Sequence, residues 1–136
     1  MAANVLVDSG FLVALINRRD QNHTWAAAQA PTFPRPWQTC EPALSEAFYM
    51  LGQSGAPHLI TLLARRALIC GFQLDEHITD VIKLLQKYAD VPMSLTDACL
   101  VRMTEVLSDS ALLTTDSDFR IYRRHGRQTV PCVLPL

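Results

Sequence analysis

The chain has 136 residues, 49% of them hydrophobic, and a net charge of −1. This is one domain of ordinary size, able to bury roughly two thirds of its unfolded surface. The near-neutral balance argues against a generic nucleic-acid-coating protein, and no apolar run reaches the roughly 18 residues of a membrane span.

Asn4 to Asp8 is a short run of β-branched residues and Leu that reads as a buried strand, and Met1-Ala2-Ala3 before it has no basic lead-in of a signal peptide. A cytoplasmic protein is expected. Ser9-Gly10 breaks the run, and Phe11 to Asn17, apolar on every side, predicts a buried helix. After a polar link, His23 to Ala30 reads as an Ala-rich helix stopped by Pro31. Pro31, Pro34 and Pro36 forbid regular structure until Trp37 to Cys40, a second strand.

Pro42 suits the first turn of a helix running to Leu51, which Gly52 and Gly55 stop, and Pro57 opens another from His58 to Ile69. Phe72-Gln73-Leu74 alternates and predicts a third strand. Ile78, Val81, Ile82, Leu84, Leu85 and Tyr88 have helical spacing over Ile78 to Ala89, and Ser94 opens a helix to Leu107. Ala111 to Thr115 is the fourth strand, Asp118 to Arg124 a short helix, and Gln128 to Leu134 an edge strand interrupted by Pro131. Alternating strands and helices make a mostly parallel sheet, with helices on both faces, the economical fold for a single domain spanning the chain.

Four acids stand where this fold gathers ligands, beyond the carboxyl ends of the strands. Asp8 ends the first strand, Asp116 follows the fourth, and Glu46 and Asp97 lie in segments that open helices. Singly, Asp97 with Ser94 resembles a capping box, Asp116 or Asp118 could cap the next turn, and Glu46 could sit on a solvated face. Asp8 is harder to dismiss, because an acid ending a buried strand is costly without a partner. Together the four read as a magnesium or manganese site, since clustered carboxylates repel unless a cation holds them.

Other chemistries lack their residues. A haloacid-dehalogenase-like phosphotransferase needs an acid where Gly10 stands, which also weakens a small metal-dependent phosphatase. No phosphate-cradling glycine loop exists, and His23, His58, His77 and His125 support no Ser or Cys nucleophile. Cys40, Cys70, Cys99 and Cys132 are scattered without zinc-ligand spacing and read as small buried hydrophobes. Arg120, Arg123, Arg124 and Arg127 fall in one stretch. The first three have helical spacing near Asp116, either to grip phosphates or as a solvated face.

These pieces resemble the PIN-domain ribonucleases, especially the toxins of bacterial VapBC-type modules. The matching segments are Val5 to Leu15, Asp20-Gln21-Asn22-His23, Glu41 to Glu46, Leu95-Thr96-Asp97-Ala98 and Leu113 to Phe119, in order along the chain. The resemblance implies an α/β/α sandwich with a parallel sheet of about five strands. It implies a metal-dependent endoribonuclease whose acidic quartet is Asp8, Glu46, Asp97 and Asp116, with Asp118 an accessory acid. It also implies that Ser9 and Thr114 or Thr115 orient water or phosphate, and that an antitoxin and a second copy of the chain are partners. The expected chemistry is in-line hydrolysis of RNA leaving a 5′-phosphate and a 3′-hydroxyl. The rival expectation is a catalytically weak PIN-like module that binds a protein through Phe11 to Asn17 or Leu59 to Cys70.

Overall fold

Strand β1 (Asn4–Val7) is central to the sheet because Val5, Leu6 and Val7 are buried on both of its faces. The structure is a computed structural model describing residues 2–136; Met1, the first residue of the lead-in, lies outside the described residues. Along the chain follow β2 (Trp37–Gln38), β3 (Leu68–Ile69), β4 (Ser110–Leu113), β5 (Arg123–Arg124), β6 (Gln128–Thr129) and β7 (Cys132–Val133). Five strands form one parallel sheet, as the resemblance implies, and their order is β3-β2-β1-β4-β7. Strands β5 and β6 make a separate antiparallel ribbon.

The helices are α1 (Ser9–Ile16), α2 (His23–Gln29), α3 (Glu41–Ala64), α4 (Ile78–Lys87) and α5 (Leu95–Val106). Alternation along the strands divides the core. Val5, Val7, Trp37, Leu68 and Leu113 pack with α1, α2 and α3, whereas Leu6 and Leu112 pack with α4 and α5. Phe11 of α1 meets Trp37 edge to face at 5.5 Å and Trp25 at 5.9 Å, anchoring two helices on the first layer.

Several local expectations are corrected. Gly52 breaks α3 but does not end it: at φ 62°, ψ −162° it kinks the helix, which resumes through Gly55 and Pro57 to Ala64. Leu68–Ile69, read as the end of that helix, is β3, because Arg66 turns left-handed at φ 58° and Trp37 and Gln38 offer a ladder to join. Phe72-Gln73-Leu74 is no strand; Phe72 is buried and stacks on His77 at 4.8 Å, and Leu74–His77 is a 3-10 turn. Asp118–Arg124 is a 3-10 turn (Ser117–Arg120) followed by β5, and Pro131 splits the last strand between the ribbon and the sheet edge. Cys40 and Cys99 are fully buried, but Cys70 and Cys132 only partly.

Gly52 occupies a backbone region nearly exclusive to glycine, with open space where a Cβ would stand. Gly52→Ala should therefore lose about 1–3 kcal/mol of stability from backbone strain alone. Gly71→Ala, also in open space but at ordinary φ, should stay within about 0.5 kcal/mol in the same urea titration.

Candidate active site

Strand order reverses on either side of β1, so the carboxyl ends of β1 and β4 flank a crevice. Val7 pairs with Leu113, and the Asp8 amide donates to the Leu113 carbonyl at 3.0 Å. That bond places Asp8 at the sheet edge beside Thr114. Asp8 caps α1, its Oδ1 accepting the Ser9 amide at 2.6 Å, while Thr114 Oγ1 donates to its Oδ2 at 2.8 Å. The Thr114 hydroxyl also accepts the Asp116 amide at 3.0 Å, tying the second acid to the first through one buried side chain.

Asp116 Oδ1 accepts the Asp118 amide at 2.9 Å and so shapes the 3-10 turn that carries Asp118. Asp97 sits in the first turn of α5, where Ser94 and Asp97 form a reciprocal capping box. The capping and acidic-site readings of Asp97 are thus compatible. Its Oδ2 also accepts the Tyr122 hydroxyl at 2.9 Å. Glu46 lies in the second turn of α3, exposed at the rim; Thr96 Oγ1 donates to Oε1, and the Ser9 hydroxyl lies 3.4 Å from Oε2 and 3.2 Å from Asp8 Oδ1. Ser9 and Thr96 thereby link Glu46 to the other acids.

Burial lifts the Asp8 carboxyl from an ordinary 3.8 to about 6; the Thr114 hydrogen bond opposes this, and the Asp97 charge adds to it. Asp97 is raised as well, by burial first and later by Asp116, with the Tyr122 and Ser94 bonds pulling the other way. Burial and the neighbouring Asp97 push the Tyr122 phenol far up, so it stays a proton donor. Three acids repel one another here without a cation: among the described residues, the ion pairs are Arg102 with Asp80 and Arg102 with Glu105, neither at this crevice.

The expectation of full convergence needs correction. No three Asp, Glu, His or Cys side chains among the described residues are close enough to hold one ion directly. The donor set still fits a hard cation. Magnesium takes oxygen ligands, keeps several waters and commonly uses one or two carboxylates, so a closed cage is not required.

The arginines do not form the expected helical face. Arg123 donates to the carbonyls of Arg120, Ile121 and Tyr122 at 2.7–3.2 Å, and Arg124 to the Thr104 carbonyl at 2.8 Å; Arg120 is exposed. The Thr115 hydroxyl occupies the space over Gly10, where an added Cβ would meet it. Sequence reasoning missed Thr96, Tyr122 and the close approach of Thr115 to Gly10. Thr96 stands beside Asp97 in the motif already quoted, whereas nothing near Tyr122 in the chain signals its contact.

Residues 5–124 match the PIN domain family. The chain belongs to that family. Among solved structures, this PIN domain is similar to VapC20 of Mycobacterium tuberculosis, described as a sarcin-ricin loop cleaving toxin. The TM-score is 0.69 and the identity 19%, covering 85% of this chain and 92% of that one. Comparison with curated proteins gives no match.

Because folding raises the Asp8 pKa, its folded state binds a proton more tightly than the unfolded chain does. Its contribution to metal-free stability is complete below about pH 4 and lost as pH rises through about 6. Asp8→Asn, an equally good cap, should thus stabilise the protein in EDTA at pH 8 by up to about 3 kcal/mol. Thermal melts should show that advantage shrinking towards pH 4.

Proposed function

We propose that this PIN domain is a metal-dependent endoribonuclease, the toxin of a toxin–antitoxin module, working in the cytoplasm. The observation that carries the reading is a set of mutually repelling acids, two of them buried, at the sheet's switch point, with no ion pair to any of them among the described residues. Similarity in fold to a toxin that cleaves the sarcin-ricin loop supports RNA as the substrate class.

Asp8, Asp97 and Asp116 would hold a magnesium or manganese ion, one or two of them directly and the rest through the ion's waters, with Asp118 beside them and Glu46 reaching it directly or through water. Such an ion offsets phosphate charge and acidifies water. Thr114 fixes the Asp8 carboxylate and the Asp116 backbone together, and the α5 capping box fixes Asp97. Glu46, steadied by Thr96 and Ser9, faces solvent and orients the attacking water. Ser9 and Thr115 line the approach of the phosphate, while the buried Thr114 acts only through Asp8 and Asp116. Arg120, exposed, would meet a flanking phosphate, while Arg123 supports that contact by holding the carbonyls of the turn and Arg124 by bonding to the Thr104 carbonyl of α5. In-line attack leaves a 5′-phosphate and a 3′-hydroxyl. An antitoxin covers the acidic crevice, and a second copy of the chain completes the resting assembly.

A second reading, a weakly catalytic module that acts by binding, draws on the missing three-acid cage and on Tyr49, Met50 and Ile60, exposed on α3. Phe11 to Ala14 of α1 are buried and only Leu15 and Ile16 are partly exposed, whereas Ile60, in the other expected segment, is 54% exposed. No described helix is long and apolar enough to cross a membrane.

Incubation with end-labelled total RNA decides between them. Cleavage should require Mn²⁺ or Mg²⁺, stop with EDTA and leave 5′-phosphate ends. Asp116→Ala should bring it below detection with an unchanged circular dichroism spectrum. An undiminished rate in that variant, or cutting in EDTA, would refute the nuclease assignment.

A further inference from the structure

Tyr122 lies more than a hundred positions from the first strand, outside every acidic motif, and is fully buried. Its hydroxyl donates to Asp97 Oδ2 at 2.9 Å, and the Ser94 amide approaches the same oxygen at 3.4 Å. Both restraints fall on one carboxylate oxygen. Asp97 Oδ1 accepts no hydrogen bond among the described residues and stays available to a ligand.

The phenol ring is itself held. Tyr88 packs against it edge to face at 5.1 Å, and Phe119 does so at 5.3 Å. Phe119 belongs to the 3-10 turn that Asp116 caps, its amide approaching the Asp116 carbonyl at 3.3 Å. The Tyr88 hydroxyl accepts the Arg123 amide at 2.8 Å. One aromatic cluster therefore connects α4, the Asp116 turn and the Asp97 carboxylate, which come from three separate parts of the sequence.

We propose that Tyr122 is a positioning residue for the cation site: it pins Oδ2 of Asp97, turns Oδ1 towards the crevice and keeps Asp97 in step with the Asp116 turn. The inference rests on the nuclease reading, in which Asp97 is a cation ligand. Hydrogen-bond partners that orient metal ligands typically change metal affinity or activity by about 10–100-fold when removed. Tyr122→Phe removes one hydroxyl and keeps the ring that Tyr88 and Phe119 pack against. Tyr88→Phe is the matched control, because it removes a hydroxyl from the same cluster without touching Asp97.

The test is Mn²⁺ binding to the metal-free full chain, followed by calorimetry and by the electron paramagnetic resonance of free Mn²⁺, with RNA cleavage measured over a Mn²⁺ series. Tyr122→Phe should weaken Mn²⁺ binding about 10-fold or more, with Tyr88→Phe within about twofold of the parent. Excess Mn²⁺ should restore the Tyr122→Phe cleavage rate. Equal affinity in Tyr122→Phe and the parent, or equal losses in the two variants, would overturn the positioning role while leaving the nuclease reading intact. A parent protein that binds no Mn²⁺ would overturn both.

Discussion

The ladder between β1 and β4 is the constraint on which the site depends. Its register sets Val7 against Leu113, and the hydrogen bond from the Asp8 amide carries the pairing one step past the last strand residue. Asp8 and Thr114, 106 positions apart, therefore meet at a buried edge. A slip of one residue would send Asp8 to the opposite face of the sheet and the apolar side chains to water. Core packing thus specifies the acidic crevice indirectly: the energy that fixes register comes from Leu6, Leu112, Val7 and Leu113, and the carboxylate is carried along.

The crevice opposes stability and chemistry within one side chain. Asp8 is almost wholly buried beside Asp97, and its ionised form gains only hydrogen bonds from Ser9 and Thr114 in return. Unpaired acids of this kind mark functional sites more often than structural ones, because an apolar residue would pack there at lower cost. The caps at Asp8, Ser94 and Asp116 soften the conflict, since backbone amides partly stand in for the missing positive charge.

Much of this was legible in the chain. Continuous apolar strands, the Ser94–Asp97 spacing and the acid at the end of β1 carry strong local signals, and the fold and the placement of the four acids follow from them. What escaped was set by contacts distant in sequence. Two-residue strands such as Leu68–Ile69 are too short to show alternation, so their pairing with Trp37 and Gln38 left no imprint. The Arg120, Arg123 and Arg124 spacing mimics a helix, but Arg123 and Arg124 pair with β6, and their guanidinium groups bond to the Tyr122 and Thr104 carbonyls. Tyr122 reads as an ordinary core aromatic until the turn after Asp116 brings it to Asp97.

The interruption of α3 at Gly52 has a mechanical consequence for Glu46. A continuous rod would transmit any twist at its far end to every residue along it. Here the axis turns at Gly52, so the half that ends on Leu51 aims Glu46 at Ser9 and Thr96, while the half from Gln53 to Ala64 follows its own direction over the same core.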